Sequence, residues 1–176
     1  MNNHTSLHYS ARDGYTETVE LLLSKGVSIN AMNKSNNAPL GLAAENGHTD
    51  SVEPLLGEGA LMEEINENNN TPLHLAALSG HTDVAELLCG KGASIEAINT
   101  YNHTPLHNAA SSGRTDIVKL LLGKGASIGA IDRTSSTPLH RAAWSGHTDT
   151  VGLLLSQSAS IQAMDDSNGT SLHDAA

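Results

Sequence analysis

The sequence predicts a mainly α-helical solenoid, built from stacked helix-turn-helix units that are joined by short β-hairpin-like loops. Three markers recur every 33 residues without insertion or deletion: a Thr-Pro-Leu-His motif, a single glycine and an Ala-Ala pair. Self-similarity at one fixed period of this length is the signature of a repeat architecture. About five repeats and a partial sixth are expected, with first residues near Thr5, Ala38, Thr71, Thr104, Thr137 and Thr170.

The unit that starts at Thr71 shows how each repeat is expected to fold. Its Thr-Pro pair predicts the start of a helix over residues 72–79, because proline fits the first helical turn, where its missing N–H costs nothing. Gly80 predicts the end of that helix. Thr82 is the expected N-cap of a second helix, which Gly92 should stop. The apolar face of the second helix is predicted to consist of Val84, Leu87 and Leu88.

The segment between repeats is predicted to run extended over residues 93–98 and then to turn. Asparagine recurs at one position of this turn, where its side chain tolerates the left-handed backbone conformation. The three asparagines are Asn69, Asn102 and Asn168. Each unit is therefore expected to be a hairpin-like turn followed by two antiparallel helices.

These motifs resemble the ankyrin repeat over essentially the whole chain. The shared features are the period of 33 residues, the pattern T-P-L-H-x-A-A, a Gly-His turn and paired leucines. The resemblance implies a curved stack with two layers of helices, and it implies protein binding through a concave face made by the hairpin tips and the first helices. It also implies that the histidine of each T-P-L-H motif bonds to its threonine and to backbone between units. It brings no catalytic residue and no cofactor.

Residues 1–176 are predicted to form a single ankyrin-repeat domain, as part of a longer array. No hairpin precedes Thr5 and no second helix follows Ala176, and neither end shows the polar outer face expected of a terminal repeat. Weak end-to-end self-association is the alternative way to cover these ends, and the chain is otherwise expected to be a monomer.

The repeat that starts at Ala38 departs from the pattern. Gly41 replaces the motif histidine, and Pro54 stands where other repeats have a leucine of the second helix. Proline inside a helix removes a hydrogen bond and costs roughly 3 kcal/mol. We expect this repeat to be the least stable, with a kinked or frayed second helix, as a result either of neutral drift or of a hinge. The same two residues argue against a designed consensus repeat.

Composition and charge exclude several classes of protein. The formal net charge is −10, and residues 1–88 hold three Lys and Arg against twelve Asp and Glu. Nucleic acids and anionic membranes need a basic surface, so neither is an expected partner. The charge either serves solubility or attracts a basic protein to the N-terminal half. Cys89 is the single cysteine, and no secretion signal or membrane span is evident, so a cytoplasmic, intracellular location is predicted.

The ten histidines do not predict a metal site. Equivalent histidines of adjacent units should lie about 8–10 Å apart, the spacing of packed helices, whereas zinc ligands lie about 2 Å from one metal. The serines lack the turn of a hydrolase nucleophile, and the Gly-Lys pairs lack phosphate-loop spacing. Cys89 replaces a leucine of other repeats and is expected to be a buried, inert thiol. The sequence therefore predicts no enzyme, no catalytic residue, no metal and no cofactor.

The predicted function is that of a scaffold or adaptor that binds another protein, where first-helix and hairpin residues differ between repeats. Trp144 is the only tryptophan, and other repeats have Arg, Glu, Leu or Ser at its position. Trp, Tyr and Arg dominate interface hot spots. The predicted protein-binding residues are Leu75, Leu78, Tyr101, His103, Asn108, Ser111, Arg141 and Trp144. The alternative is a structural spacer without a ligand, which would need no apolar or aromatic residues on that face.

Overall fold

The computed structural model describes residues 3–171, and this part of the chain contains ten helices in five pairs. The first helices of the pairs are α1 (Ser6–Arg12), α3 (Pro39–Asn46), α5 (Pro72–Ser79), α7 (Pro105–Ser111) and α9 (Pro138–Trp144). The second helices are α2 (Thr16–Ser24), α4 (Thr49–Gly57), α6 (Thr82–Gly90), α8 (Thr115–Gly123) and α10 (Thr148–Ser156). The partial sixth repeat predicted from Thr170 falls largely on residues 172–176, which lie outside the described residues.

The chain divides into two compact units, residues 1–94 and residues 95–176. In the first unit, α1, α3 and α5 pack side by side in one layer, and α2, α4 and α6 pack in a second layer. In the second unit, α7 packs on α9 and α8 packs on α10. Within each unit the helix pairs are stacked as in an ankyrin solenoid, so the fold class predicted from the sequence is confirmed.

The threonines of the repeat motifs start first helices. Thr5, Thr71, Thr104 and Thr137 are N-caps, and each forms a capping box with the histidine three residues later. The threonine hydroxyl accepts the histidine N–H, and the histidine side chain accepts the threonine N–H, which stabilises the helix by about 1 kcal/mol. Helix α5 spans the predicted residues 72–79, and Gly80 ends it with a φ of 95°.

The second helix starts one residue earlier than the N-cap prediction required. Thr82 is the first helical residue of α6, and its N-cap is His81, which makes no side-chain capping bond. The helix also ends earlier, at Gly90, with Lys91 as the C-cap. The Lys91 N–H already donates to the carbonyl of Leu87 at 3.0 Å, so the last turn closes before Gly92.

The buried face of the second helices is shifted from the predicted one. In α6 the buried residues are Val84, Ala85 and Leu88, whereas Leu87 is half-buried. Cys89 is half-buried as well, so the prediction of a fully buried core thiol was wrong. A nine-residue helix in the second layer covers the first layer with a narrow stripe only, and residues beside that stripe keep contact with water.

The loops are turns rather than extended strands. Ile95 and Glu96 form a turn inside the segment that was predicted to be extended. Within residues 3–171 the bridge between Met164 and Thr170 is the single β-type pairing outside the helices. The predicted left-handed asparagines are confirmed, with φ values of 58° at Asn69, 57° at Asn102 and 59° at Asn168.

Pro54 does not shorten its helix, so the expected fraying is absent. Helix α4 has nine residues, as do the other second helices, and Pro54 lies inside it. The position is half-buried, and the buried core residue is the following one, Leu55. The missing N–H of Pro54 therefore leaves the carbonyl of Asp50, one turn back, without its helical donor. The core contact made by Leu55 is kept. The first helix of this repeat is weaker, because its N-cap Ala38 makes no side-chain capping bond.

Buried histidines tie one repeat to the next, as the family resemblance implied. The Nε2 atom of His8 lies 3.0 Å from the carbonyl oxygen of Asn37, and that of His107 lies 3.2 Å from the carbonyl oxygen of Ser136. Both rings are completely buried. These bonds hold each hairpin against the first helix of the preceding repeat, so the core positions the loop tips.

A second set of histidines packs against the glycines that end the first helices. The ring of His81 lies against Gly47, where an added Cβ would come within 2.4 Å of Nδ1. Gly47 also has a φ of 77°, a conformation that favours glycine. The Gly-His turn therefore has two physical reasons for its glycine, a left-handed backbone and a close ring contact.

Candidate protein-binding surface

The two predicted residues of the first unit differ in what they offer to a partner. Leu75 is 4% exposed and belongs to the core of the first-helix layer. Leu78, near the end of α5, is 42% exposed. Leu78 therefore has accessible apolar surface, and Leu75 has little.

In the second unit, a column of rings leads from a loop tip into the core. The Tyr101 side chain is exposed, and its ring centroid lies 5.7 Å from that of His103. His103 in turn stacks on buried His107, with centroids 5.6 Å apart and an interplanar angle of 11°. Asn99 fixes the loop, because its side-chain oxygen accepts the backbone N–H groups of Tyr101 and His103 at 2.9 and 3.1 Å. Tyr101 is therefore an aromatic side chain on a well-supported turn.

Arg141 is held by Asp132, a residue that the sequence reasoning passed over. The Arg141 Nε atom donates to Asp132 Oδ2 at 2.7 Å, and Nη2 contacts the same oxygen. The Asp132 side chain is fully buried, and the Nε2 atom of His103 lies 3.4 Å from Oδ2. Asp132 also forms the turn, accepting the N–H groups of Thr134 and Ser136. The charge of Arg141 is therefore largely compensated within the protein.

Burial, hydrogen bonds and neighbouring charges set the protonation states of Asp132, His103 and His107. Burial alone would raise the pKa of Asp132, but the Thr134 N–H and the Arg141 guanidinium together bring that pKa below its usual value. Burial lowers the pKa of His103, and the charge of Arg141 lowers it further. Burial lowers the pKa of His107 to about 4, against the opposing effect of the Ser136 carbonyl. At neutral pH the cluster consists of a carboxylate, a guanidinium and neutral imidazoles.

Asn108 and Ser111 mainly support their neighbours. Asn108 is buried, and its side chain hydrogen-bonds to His103. The hydroxyl of Ser111 donates to the Asn108 carbonyl at 3.1 Å, and the Ser111 carbonyl lies 3.1 Å from Nε2 of His147. Asn108 and Ser111 therefore belong to the hydrogen-bonded structure that surrounds the rings of Tyr101, His103 and His107.

Trp144 is the most exposed of the predicted residues. It ends α9, and 74% of its surface is accessible, more than any other large apolar residue in the described part of the chain. Beside it lies a pocket of about 200 Å³. Among residues 3–171, six further residues line this pocket: Thr134, Ser136, His140, Arg141, Asp165 and Ser167. An aromatic face and a carboxylate therefore open on one small cavity.

A row of exposed aliphatic side chains was missed in the sequence. Each member directly precedes the asparagine or aspartate that forms a loop turn, so the row also has a period of 33 residues. In the second unit its members are Ile98, Ile131 and Met164, which are 58–61% exposed. In the first unit they are Met32 and Ile65, which are less exposed. The sequence does contain a signal for this row: an apolar residue recurs five times at one loop position. A loop exposed to water does not need an apolar residue there.

Residues 3–171 lack two kinds of feature, a membrane-spanning helix and a metal-binding cluster. No helix there combines the length and the apolar character needed to cross a membrane. No group of three or more His, Cys, Asp and Glu side chains in this range is placed so that it could hold a metal ion.

The sequence is matched by a protein-family model. The family model described as ankyrin repeats (3 copies) matches three overlapping stretches, residues 1–68, 40–132 and 94–165. A search of curated proteins found no match.

Proposed function

Because the chain belongs to the ankyrin-repeat family, we propose that it is a non-catalytic scaffold that binds another protein. Ankyrin repeats are generally protein-interaction modules. In this proposal the binding surface of the second unit centres on Tyr101 and Trp144, and includes the aliphatic row Ile98, Ile131 and Met164. The chain would act inside the cell, as its single cysteine suggests.

The observation that carries the proposal is the exposure of large apolar side chains that the repeat does not need. In the described repeats the leucines and alanines of the T-P-L-H-x-A-A motif are buried, whereas Trp144 and Tyr101 are 74% and 56% exposed. Aromatic side chains with few rotatable bonds are the usual anchors of protein interfaces. A spacer without a ligand would gain nothing from exposing them, which supports binding over the spacer alternative.

The other predicted residues take supporting roles in this proposal. His103, Asn108 and Ser111 hold the loop that carries Tyr101, and Arg141 compensates Asp132 beneath the surface. In the first unit, Leu78 offers a separate apolar contact. Residues 1–94 also hold four Lys and Arg against twelve Asp and Glu, so a basic partner segment would be attracted to that unit.

The proposal is tested by affinity capture from a lysate of the source organism with three baits. The first is the unchanged chain, and the second carries Tyr101→Ser and Trp144→Ser. The third is a matched control with Tyr15→Ser and Leu21→Ser, which alters two equally accessible apolar residues of the first unit. Circular dichroism establishes that all three are folded, and mass spectrometry identifies the retained proteins.

We expect a specific protein to be retained by the unchanged and control baits and lost from the Tyr101/Trp144 variant. Retention of the same protein by all three baits would show that binding uses another surface. If no folded bait retains a specific protein, the scaffold proposal fails and the spacer function becomes the better explanation.

A further inference from the structure

We propose that the pocket beside Trp144 takes an arginine side chain of the partner protein. This inference rests on the proposed function, because it names the chemistry by which the second unit would recognise its partner. It depends on the size of the pocket, its charge, the exposed indole and an unpaired hydrogen-bonding atom at its wall.

The size of the pocket favours one side chain over a separate small molecule. Its volume is about 200 Å³. Pockets that enclose a drug-sized ligand have volumes of roughly 300–1,000 Å³. An arginine side chain is long and thin enough to enter a space of this size while its main chain stays on the surface.

The charge of the pocket favours a cation. Arg141 is one of its walls, but its guanidinium is bound to the buried carboxylate of Asp132, with 2.7 Å between Nε and Oδ2. Asp165, on the facing loop, has no ion-pair partner among residues 3–171. Its Oδ1 atom accepts the N–H groups of Ser167 and Gly169 at 2.9 and 2.8 Å, which fixes the carboxylate in place. Among the described residues, the pocket and its support therefore carry one uncompensated negative charge, that of Asp165.

The indole of Trp144 favours arginine among the cations. Its face is accessible to an incoming group, because 74% of the residue is exposed. A guanidinium is planar, is weakly hydrated, stacks on aromatic faces and can bond to a carboxylate in the same plane. A lysine ammonium offers the charge but not the planar stacking surface.

His140 shows why the pocket occurs at this repeat. In the repeats of His8 and His107, Nε2 is bonded to a carbonyl oxygen of the following loop. The Nε2 atom of His140 is buried and has no hydrogen-bond partner among the described residues, and the loop at 165–169 is the one that faces it. The Thr137 N–H donates to Nδ1 of His140, so Nε2 carries the proton and is a donor. This buried donor, which His8 and His107 use to hold the following loop, is left without an acceptor from residues 3–171 at the wall of the pocket.

The experiment uses Trp144 as the reporter, because it is the only tryptophan of the chain. The probe is the peptide acetyl-Gly-Ser-Arg-Ser-Gly-amide, and tryptophan fluorescence is followed during titration. Two comparison peptides replace arginine by citrulline, which has the same shape without the charge, and by lysine. The variant Asp165→Asn removes the proposed charge partner, and Asp149→Asn, in the first turn of α10, is the matched control.

We expect saturable binding of the arginine peptide in the millimolar range, about three- to tenfold weaker binding of the citrulline and lysine peptides, and a similar loss in Asp165→Asn. The Asp149→Asn control should bind like the unchanged chain. Equal responses to arginine and citrulline, no saturable response, or full binding by Asp165→Asn would overturn the inference.

An Asp165→Asn bait in the capture experiment separates this inference from the proposed function. If a protein is lost from the Tyr101/Trp144 variant but kept by Asp165→Asn, the scaffold stands and the arginine inference is wrong. Loss from both variants supports the two together.

Discussion

Asp132 occupies a turn position that holds asparagine in three other repeats, at Asn33, Asn66 and Asn99. Either residue can form the turn, because both have a side-chain oxygen that accepts the backbone N–H groups two and four residues later. The aspartate adds a buried charge, which is stable only when it is paired. Arg141 meets this requirement from the first helix, where the repeats of Asn33 and Asn66 have a leucine. The two residues should therefore be energetically coupled.

A double-mutant cycle tests this coupling. Arg141→Leu should reduce the free energy of unfolding by about 3 kcal/mol, because it leaves a buried carboxylate without its cation. Asp132→Asn should cost about 1 kcal/mol, since the turn survives and the partly exposed guanidinium can reach water. The double variant restores the neutral Asn and Leu of other repeats and should cost less than the sum by at least about 1 kcal/mol. The measurement is urea unfolding of all four proteins, and strict additivity would contradict the proposed coupling.

At the scale of the helices, the sequence specified more of the first helix than of the second. Thr-Pro and Gly mark the two ends of α5 directly, so its bounds were predicted correctly. In α6 the chain enters the helix from the Gly-His turn, so His81 takes the cap position and Thr82 is already helical. The buried face was predicted from the spacing of apolar residues, which selected Leu87, whereas the smaller Ala85 is the residue that is buried. Cys89 was expected to be buried because it replaces a leucine of other repeats, but the leucines at that position are themselves only half-buried or exposed.

Pro54 gives a stability prediction for one helix. Helix α4 keeps its full length despite the proline, so the cost is the loss of the helical donor to the Asp50 carbonyl and local crowding rather than lost structure. Pro54→Leu should raise the free energy of unfolding by about 2–3 kcal/mol, because leucine restores the N–H and occurs at this position in the other repeats. Leu87→Pro, the reverse exchange in α6, should lower it by a similar amount. Thermal and urea unfolding measure both, and a Pro54→Leu protein no more stable than the parent would contradict this account.

Glutamate side chains form hydrogen bonds between successive repeats. The carboxylate of Glu96 accepts the N–H of Ser127 at 2.8 Å, and that of Glu63 accepts the N–H of Ser94 at 2.9 Å. Gly129 occupies the equivalent position, and an added Cβ there would meet nothing within 4 Å. Gly129→Glu should therefore gain a bond to the N–H of Ser160 and stabilise the protein by about 1–2 kcal/mol.

The matched control for this exchange is Gly129→Ala, which restricts the unfolded chain in the same way but cannot accept the bond. Urea unfolding should place Gly129→Ala between the parent and Gly129→Glu. If the two variants are equally stable, the side-chain bond contributes nothing at this position.

At the scale of the whole molecule, the repeat made the fold predictable and hid part of the candidate surface. A single period predicted the helix pairs and the turn asparagines at once, because every repeat must satisfy the same neighbours. The histidine bonds were implied by the family resemblance. The same regularity directed attention to positions that vary, such as Tyr101 and Trp144. The aliphatic row at Ile98 and its equivalents is isoleucine or methionine in each of the five loops, so it resembles a framework position, and its exposure identifies it as surface. The pairing of Asp132 with Arg141 could not be predicted from the repeat pattern, because those residues are nine positions apart and one lies in a loop while the other lies in a helix.

Buried His8 and His107 should make the molecule sensitive to acid. The pKa of His107 is about 4 in the folded protein, and burial also lowers the pKa of His8. An unfolded histidine has a pKa of about 6.5, so the unfolded chain takes up protons first as the pH falls. The stability is therefore complete above about pH 6.5 and declines toward pH 4, by about 3 kcal/mol for His107 alone. The pKa of Asp132 is lowered in the folded protein, so its carboxylate also contributes to stability. That contribution is lost only at more acidic pH, as the pH falls below the usual pKa range of a carboxyl group.

This dependence is measured by urea unfolding between pH 7.5 and pH 4.5, together with proton NMR of the histidine ring. The His107 resonance should remain that of a neutral ring above about pH 5. His107→Gln should have a lower free energy of unfolding at neutral pH, because its buried bonds to Thr104 and Ser136 are disturbed. It should also lose less stability on acidification than the parent, since glutamine takes up no proton. An equally steep loss in His107→Gln would show that other groups govern the acid sensitivity and that burial of this ring contributes little to it.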